Sequence, residues 1–462
     1  MQYDVIIVGA GPAGIFAALE MVKQDGLKIL LIDKGLDIDA RKCPGRWPSK
    51  ACVACDPCSL LCGWGGAGAF SDGKLTLSPD VGGQLDRYIS EETLIGLIDY
   101  VDRLYLEYGA PATTYGTNDD DIARIARLAV KAELKLVSAR IRHMGSDGGG
   151  RVLKGIREYL DNKISLAMET TVEHLLVENG RIVGVSTSDG EYRGRYVVAA
   201  PGREGSSWLA SEAARLRLIT INNPVDVGVR VELPSEIMRH ITDIVYEPKL
   251  LYYSKRFDDR IRTFCVCPNG EVVTEHNNGV ITVNGHSYAD QKSDKTNFAL
   301  LVSTPFTEPF HEPIDYGRYM ARLANMLGGT VIVQRLGDLL NGRRSTPERI
   351  ASSIIKPSLS SASPGDLSFV LPYRYLTDII EMLQALDVLA PGVYSRHTLL
   401  YGAEVKFYSS KLKVTDKLET EVSGLYAIGD GAGLTRGLIQ ASVSGVLAAR
   451  DILRQEGKRI SV

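Results

Sequence analysis

The stretch that decides the fold is Tyr3-Asp-Val-Ile-Ile-Val-Gly-Ala-Gly-Pro-Ala-Gly14. Its first residues form an apolar, β-branched run typical of a buried strand, and an apolar helical pattern continues from the glycines to Met21. Glycines between a strand and a helix let backbone N–H groups and the helix dipole meet a pyrophosphate. We therefore predict a dinucleotide-binding βα unit, whose candidate cofactor contacts are Gly9, Gly11, Pro12, Ala13 and Gly14.

A second predicted strand, Lys28 to Ile32, ends at Asp33. A carboxylate at this position can accept hydrogen bonds from a ribose 2′-OH and disfavours a 2′-phosphate. Asp33 and the adjacent Lys34 are therefore candidate cofactor contacts. The glycine pattern by itself does not separate NAD from FAD.

The other end of the chain returns to the same pattern. A predicted strand, Leu425 to Ile428, is followed by a Gly-Asp-Gly turn and an apolar helix from Leu438 to Leu453. In the motif T-x(4)-LYAIGD, which ends at Asp430, the chain resembles the glutathione-reductase-type flavoproteins. This resemblance implies that Asp430 binds the ribityl chain of a flavin and that the last helix directs its positive end at the flavin ring. The implied contacts are Gly429, Asp430, Gly437, Leu438 and Ile439.

Five further segments are distinctive: Gly65-Gly-Ala-Gly-Ala-Phe-Ser-Asp-Gly-Lys74, His143-Met-Gly-Ser-Asp147, Asp226-Val-Gly-Val-Arg230, Thr263-Phe-Cys-Val-Cys-Pro268 and Val283-Asn-Gly-His-Ser287. Together they resemble a family known mainly as uncharacterised FAD-dependent dehydrogenases. That resemblance implies a cofactor and a reaction type without a substrate.

The glycine-rich segment 65–74 is a candidate flavin contact, because small residues and backbone donors can lie flat against a ring. A tight structural loop is the alternative. The candidate flavin contacts in this segment are Gly65, Gly66, Ala67, Gly68, Ser71, Asp72 and Lys74. Two residues beside predicted strand ends, Val172 and Gly202, complete the cofactor set.

Four cysteines have the spacing C-x2-C-x2-C-x3-C, at Cys52, Cys55, Cys58 and Cys62. This spacing matches the bacterial ferredoxin run except that Gly63 replaces the usual proline, so we predict a [4Fe-4S] cluster. In two-cluster ferredoxins the fourth cysteine serves the other cluster, and Cys43 could take its place here. A zinc site and reactive or buried thiols are the alternatives.

Three residues of the middle region are candidate catalytic groups. Cys265 and Cys267 could form a redox or nucleophilic pair, because a C-x-C spacing in a strand puts both side chains on one face. His286 could donate a proton, since its ordinary pKa is near 6.5. Small core residues and a turn histidine are the alternatives.

A chain of 462 residues with a formal charge of -3 suggests two or three domains and no affinity for nucleic acid or an anionic membrane. We predict an α/β fold: a Rossmann-like FAD-binding domain of the glutathione-reductase type with an inserted α+β substrate domain. The FAD-binding domain comprises residues 1–215 and 396–462, including a cysteine-rich loop 43–62 and a helical segment 85–140, and the substrate domain comprises 216–395. The apolar start is interrupted by Asp4 and glycines, so we expect a cytoplasmic protein without a membrane span.

The predicted function is an FAD-dependent oxidoreductase that moves a hydride or an electron pair between flavin and a small organic substrate, with an iron–sulfur relay as an option. The alternative is an electron-transfer component that passes electrons between protein partners. The cysteine run suggests a ferredoxin-like partner, and NAD(P)H is a further candidate donor although no second glycine fingerprint follows a strand.

Overall fold

A computed structural model describes residues 2–43, 55–71, 73–221, 225–277, 279–287, 292–304, 313–406 and 411–458. The chain divides into two compact units. The first unit comprises residues 1–113, 142–223 and 409–462, and the second comprises 114–141 and 224–408. Both ends of the chain therefore lie in the first unit. Residues 114–141, which the sequence led us to group with the nucleotide fold, lie in the second.

The described residues form a mixed α/β structure, which confirms the predicted fold at the level of class. The strands are β1 (Gln2–Val8), β2 (Ile29–Ile32), β3 (Lys74–Leu77), β4 (Lys135–Val137), β5 (Arg140–His143), β6 (Ser165–Ala167), β7 (Val172–Glu178), β8 (Arg181–Thr187), β9 (Gly190–Ala199), β10 (Thr220–Ile221), β11 (Val225–Pro234), β12 (Lys249–Tyr253), β13 (Arg260–Cys267), β14 (Glu271–Asn277), β15 (Val280–His286), β16 (Lys295–Thr304), β17 (Ile332–Arg335), β18 (Ser363–Pro364), β19 (Leu399–Lys406), β20 (Lys411–Leu412) and β21 (Leu425–Ala427).

The helices lie between these strands and after the last of them. They are α1 (Pro12–Met21), α2 (Glu91–Glu107), α3 (Asp119–Lys131), α4 (Gly145–Leu160), α5 (Ser206–Arg215), α6 (Ser235–Thr242), α7 (Pro313–Gly328), α8 (Leu336–Leu340), α9 (Pro347–Ala351), α10 (Tyr373–Leu389) and α11 (Leu438–Gln455). None of the described helices is long and apolar enough to cross a membrane.

The main sheet of the first unit has the order β6-β2-β1-β9-β8-β7. Strands β6, β2, β1 and β9 run parallel, and β8 and β7 continue the sheet as an antiparallel meander. The second half of β9 also pairs in parallel with β21, so the last strand of the chain joins the sheet beside β9. The carboxyl ends of β1, β9 and β21 consequently meet at one edge, where ligands bind in open α/β sheets.

Helices α1 and α11 pack against each other in the core of the first unit. Nearly every residue of α1 is buried, which explains its apolar sequence on all sides. Helix α11 buries every residue from Ile439 to Ala449, and most of them are small or β-branched. The two ends of the chain are therefore held together by an apolar helix pair.

The second unit is built on a sheet with the order β18-β17-β19-β11-β16-β13-β12-β4. All its pairings are antiparallel except that of β17 with β18. Strand β11 lies in the middle, and its alternate residues Val227, Val229 and Val231 enter an apolar core together with residues of α7 and α10. Residues Ile125 and Ala129 of α3 enter the same core, which explains why this helix belongs to the second unit.

Candidate functional site

Only glycine fits at one position of the turn between β1 and α1 and at one position in the first turn of α1. Gly9 has φ +111°, and a Cβ there would lie 2.1 Å from the Ala200 carbonyl oxygen. A Cβ on Gly14 would lie 1.9 Å from the Gly9 carbonyl oxygen. These contacts let α1 start directly above the ends of β1 and β9.

Gly11 differs from its neighbours because a Cβ there would meet no atom within 4 Å. It is the N-cap of α1 and provides no side-chain cap, and Pro12 occupies the first turn. At the positive end of α1, the space in the Cβ direction of Gly11 is therefore open, which suits the approach of a phosphate group.

Asp33 follows β2 and organises this region through its carboxylate. One oxygen accepts a hydrogen bond from the Ala10 amide at 2.8 Å, and the other accepts from the amides of Gly35 at 2.8 Å and Gly63 at 2.7 Å. A carboxylate has about four acceptor positions, so these bonds leave room for one further donor such as a ribose hydroxyl. Asp33 thus has a structural role that the sequence did not reveal.

The ammonium of Lys34, which follows Asp33 in the same turn, forms an ion pair with Glu204 at 3.1 Å. Burial lowers the pKa of Lys34, but the nearby Cys62 thiol and Glu204 carboxylate outweigh burial, so the pKa is raised. The lysine therefore carries a positive charge beside Cys62.

The turn after β21 lies against the turn after β1. Gly429 has φ +74°, and a Cβ there would lie 3.0 Å from the Ala13 Cβ atom. A Cβ on Gly431 would lie 2.4 Å from the carbonyl oxygen of Gly202, which follows β9 and itself borders open space. The predicted contacts at Ala13, Gly202 and Gly429 are thus brought together.

Asp430 is held at this junction. Thr435 Oγ1 donates to Asp430 Oδ1 at 2.8 Å, and the Arg203 guanidinium lies 3.9 Å from Oδ2. Burial raises the pKa of Asp430, and the positive charge of Arg203 partly offsets that effect. Arg203 was not among the predicted site residues, because an arginine in a Gly-Arg-Glu turn has no distinctive spacing.

Residues 65–68 of the glycine-rich segment pack beside the starts of α1 and α11. The Gly65 amide donates to the Ala10 carbonyl at 2.7 Å, and a Cβ on Gly66 would lie 3.1 Å from the Gly11 Cα atom. A Cβ on Gly68 would lie 2.6 Å from Leu438 Cδ2 and 3.5 Å from Pro12 Cγ. These glycines therefore allow the segment to approach the starts of α1 and α11 closely.

The N-terminus of α11 resembles that of α1 in having a glycine cap. Gly437 has φ +148°, provides no side-chain cap, and a Cβ there would meet no atom within 4 Å. Leu438 is half-buried and Ile439 is buried behind it. We use the name cradle for the surface formed by Gly11, Gly202 and Gly437, at each of which a Cβ would meet no atom within 4 Å.

The remaining predicted contacts have local roles. Ser71 Oγ donates to the Gly68 carbonyl at 2.9 Å, Ala67 is half-buried, and Lys74 begins β3. Val172 is buried at the start of β7, where it pairs with Thr187. Asp72 lies outside the described residues.

The cysteine run is described only in part, because Cys52 lies outside the described residues. Cys55 and Cys58 are half-buried and Cys62 is buried, and all three are free thiols. Burial raises the pKa of the Cys62 thiol to about 12 despite the nearby Lys34. Within the described ranges, no group of three or more His, Cys, Asp or Glu side chains is arranged to hold a metal ion. These residues do not support the predicted cluster.

Arg41 is a buried residue of this loop that the sequence did not single out. Its guanidinium donates to the carbonyl oxygens of Ser59 at 3.0 Å, Leu60 at 3.0 Å and Trp64 at 2.5 Å. Burial lowers the pKa of Arg41 to about 10. The arginine therefore fixes the backbone that leads from the cysteines to Gly65.

In the second unit, the polar face of β11 carries a buried charge cluster. Arg230 is fully buried and pairs with Glu404 through two bonds of 2.9 and 3.0 Å. Lys406 lies 3.1 Å from Glu404 and 3.5 Å from Glu275. Two cations thus balance two carboxylates, as buried charges require. The sequence signal for this polar face is the alternation of Asp, Gly, Arg and Glu with valines over residues 226–232.

The predicted catalytic pair lies beside this cluster, at the end of β13. The sulfur atoms of Cys265 and Cys267 are 3.9 Å apart, and Arg230 Nη1 donates to the Cys265 carbonyl at 3.0 Å. His286 ends β15, and its carbonyl oxygen lies 2.4 Å from the place of a Cβ on Gly270. The same Cβ would lie 2.9 Å from Cys267 Cβ, so Gly270 separates the two predicted residues.

A cavity of about 170 Å³ also lies in the second unit. It is lined by Leu327, Ile332, Arg344, Asp366 and Phe369, among others, and by none of the predicted site residues.

Comparison with known proteins gives one family match, over residues 224–407, to the family described as FAD-dependent protein, C-terminal domain-like. An uncharacterized protein of Clostridium beijerinckii is 27% identical over 482 residues, which cover 97% of this chain and 80% of that protein. The family match supports the FAD predicted from the sequence.

The structure was also compared with solved structures. E. coli quinol fumarate reductase FrdA is 16% identical, with a TM-score of 0.42 and coverage of 99% of this chain and 71% of the other. L-proline dehydrogenase from P. horikoshii is 12% identical, with a TM-score of 0.41 and coverage of 99% and 94%. Glycine oxidase from Geobacillus kaustophilus is 12% identical, with a TM-score of 0.40 and coverage of 99% and 95%. Scores of this size do not assign a subclass of fold.

Proposed function

We propose that this chain is an FAD-dependent oxidoreductase whose first unit holds FAD in the manner of the glutathione-reductase-type flavoproteins. The observation that carries the proposal is the convergence of the turns after β1, β9 and β21 around the cradle, with Gly429 against Ala13. The family description over residues 224–407 supports the same cofactor. When bound, FAD would supply reversible acceptance of a hydride or an electron pair from a small organic substrate.

The residues of the cradle fit the parts of this dinucleotide. The amides at the start of α1 would bind the pyrophosphate beside Gly11, where the backbone is open. The remaining acceptor position of the Asp33 carboxylate would take a ribose hydroxyl, and Asp430 would orient the ribityl chain. The uncapped start of α11 would direct positive potential at the negative edge of the ring.

The first test is the absorption spectrum of the purified full-length chain, followed by acid release and chromatography of the chromophore. We expect one FAD per chain. A protein that stays colourless and takes up no FAD on reconstitution would contradict the proposal. Anaerobic mixing with NADH, NADPH or a reduced ferredoxin would then show which of them reduces the bound flavin.

A substitution at Gly11 tests the position of the pyrophosphate. We expect Gly11→Ala to fold as the natural chain does, since its Cβ meets no protein atom, and to weaken FAD binding by about tenfold or more because the methyl group occupies the phosphate approach. Gly96→Ala is the matched control, because Gly96 also has no atom within 4 Å of a Cβ but lies in α2. Equal FAD affinity in both variants would contradict the assignment of the cradle.

A further inference from the structure

The two cysteines of β13 are brought together by a β-bulge. Between Phe264 and Cys267 the register against β16 shifts, so that β13 carries one more residue than its partner. In a regular antiparallel strand, the Cα atoms of residues two apart are separated by about 6.8 Å, and their side chains are about as far apart. Cys265 has φ +45°, and the bulge brings the two sulfur atoms to 3.9 Å, in contact with each other. Bulges that re-aim a side chain in this way are common at functional sites.

Two buried cations interact with the pair, and both of them are also paired with Glu404. Arg230 interacts electrostatically with both cysteine side chains, and Lys406 interacts with that of Cys265. Both cations are buried, so their effect is screened less than at the surface. A cation beside a thiol stabilises the thiolate, which is the reactive form in exchange with disulfides.

The two thiols differ in access and in hydrogen bonding. Cys265 is half-buried, whereas Cys267 is fully buried. The Cys267 thiol donates to the Cys265 carbonyl oxygen at 3.4 Å. Cys265 is therefore placed to attack a disulfide first, and Cys267 is placed to react with Cys265 in a second step.

We propose that Cys265 and Cys267 form a redox-active dithiol that reduces small-molecule disulfides by exchange. The Cys265 thiolate attacks one sulfur of the disulfide, which breaks the S–S bond, forms a mixed disulfide and releases one thiolate. Cys267 then attacks the Cys265 sulfur and gives up its proton, and the second thiolate leaves. The protein loses two electrons and forms the Cys265–Cys267 disulfide, while the disulfide substrate gains two electrons and becomes two thiols.

This dithiol is independent of the proposed flavin function, and its test measures only the oxidation state of the two cysteines. The full-length chain is equilibrated without oxygen in buffers of increasing oxidised to reduced glutathione, quenched with acid, alkylated and digested with trypsin. Cleavage after Arg262 and Lys292 gives a peptide, residues 263–292, that holds Cys265 and Cys267 and none of the other five of the seven cysteines. We expect this peptide to pass from the doubly alkylated form to an unalkylated form that lacks two hydrogens.

Two single variants test the order of attack, and a third variant serves as a control. Cys267→Ser should accumulate a mixed disulfide of glutathione on Cys265, and Cys265→Ser should accumulate about tenfold less on Cys267 because that thiol is buried. Cys43→Ser should leave the behaviour of the peptide unchanged. A peptide that stays doubly alkylated at every glutathione ratio would overturn the proposal, and so would preferential modification of Cys267.

Discussion

Gly445 lies directly against the backbone of Ala13: a Cβ on Gly445 would stand 2.1 Å from the Ala13 carbonyl oxygen and 2.9 Å from the Ala17 nitrogen. These residues belong to α11 and α1, which come from opposite ends of the chain. The close crossing places the start of α11 beside the first glycine turn, and the cradle depends on it. The absence of one side chain in α11 is thus a condition for two remote motifs to form one site.

The crossing predicts a large effect of one methyl group. We expect Gly445→Ala to lower the free energy of unfolding by about 1–3 kcal/mol or more, because the added Cβ must push α1 and α11 apart. The measurement is urea unfolding followed by circular dichroism. Gly96→Ala in α2 should instead be neutral or stabilise by up to about 1 kcal/mol, since its Cβ has free space and alanine favours a helix. Equal midpoints for both variants would show that the two helices are not in close contact.

The first glycine turn and the last helix could be predicted from the sequence because their signals are local. The run from Tyr3 to Met21 contains its own strand, turn and helix, and the observed β1 and α1 follow it closely. Helix α11 was predicted from Leu438 to Leu453 and is observed at Leu438–Gln455 for the same reason. Hydrophobic periodicity and glycine spacing are enough for such units.

Features that depend on distant pairing could not be predicted in this way. The placement of α3 follows from the burial of Ile125 and Ala129 in the core of the second unit. A helical pattern of apolar residues does not show which sheet the helix packs against. The three amide donors to Asp33 come from residues 10, 35 and 63 and are visible only after folding. The bulge that joins Cys265 to Cys267 arises from the register of β13 against β16, which the C-x-C spacing does not contain.

Asp33 is predicted to stabilise the first unit even without a cofactor. We expect Asp33→Asn to lower the free energy of unfolding of the flavin-free chain by about 2 kcal/mol or more, because an amide retains one acceptor oxygen and presents a donor to the other amides. The control is Asp25→Asn, an exposed residue, which should change stability by less than about 0.5 kcal/mol. A stable Asp33→Asn chain that has lost only FAD binding would show that the carboxylate serves the ligand alone.

Glu404 is predicted to be essential to the charge cluster of β11. We expect Glu404→Gln to destabilise the chain by about 3–5 kcal/mol, because the buried Arg230 would lose the charge of its carboxylate partner while Lys406 would keep Glu275. Glu236→Gln, which breaks an exposed ion pair with Arg239, should have an effect below about 1 kcal/mol. Unfolding in urea would measure both variants, and similar effects would mean that the Arg230–Glu404 pair contributes as little as a surface pair.

Two neighbouring carboxylates in the second unit, one of them fully buried, predict a pH dependence of stability. Asp378 of α10 is fully buried beside Asp259, whose carboxylate is bound by Arg374. Burial raises the pKa of Asp378 from 3.8 to about 7, and the negative charge of Asp259 contributes to the shift. Because the folded pKa is the higher one, the folded state binds the extra proton, and its stabilising effect is complete below about pH 4 and is lost as the pH rises through about 7.

We therefore expect the natural chain to lose on the order of 3 kcal/mol of stability from this group between pH 5 and pH 8. Asp378→Asn should be more stable than the natural chain at pH 8 and should show a correspondingly smaller loss, because the amide cannot ionise. Unfolding in urea at both pH values measures the difference, with the exposed Asp243→Asn as the control that keeps the natural slope. An Asp378→Asn variant with an unchanged slope would mean that Asp378 is ionised in the folded chain throughout this range.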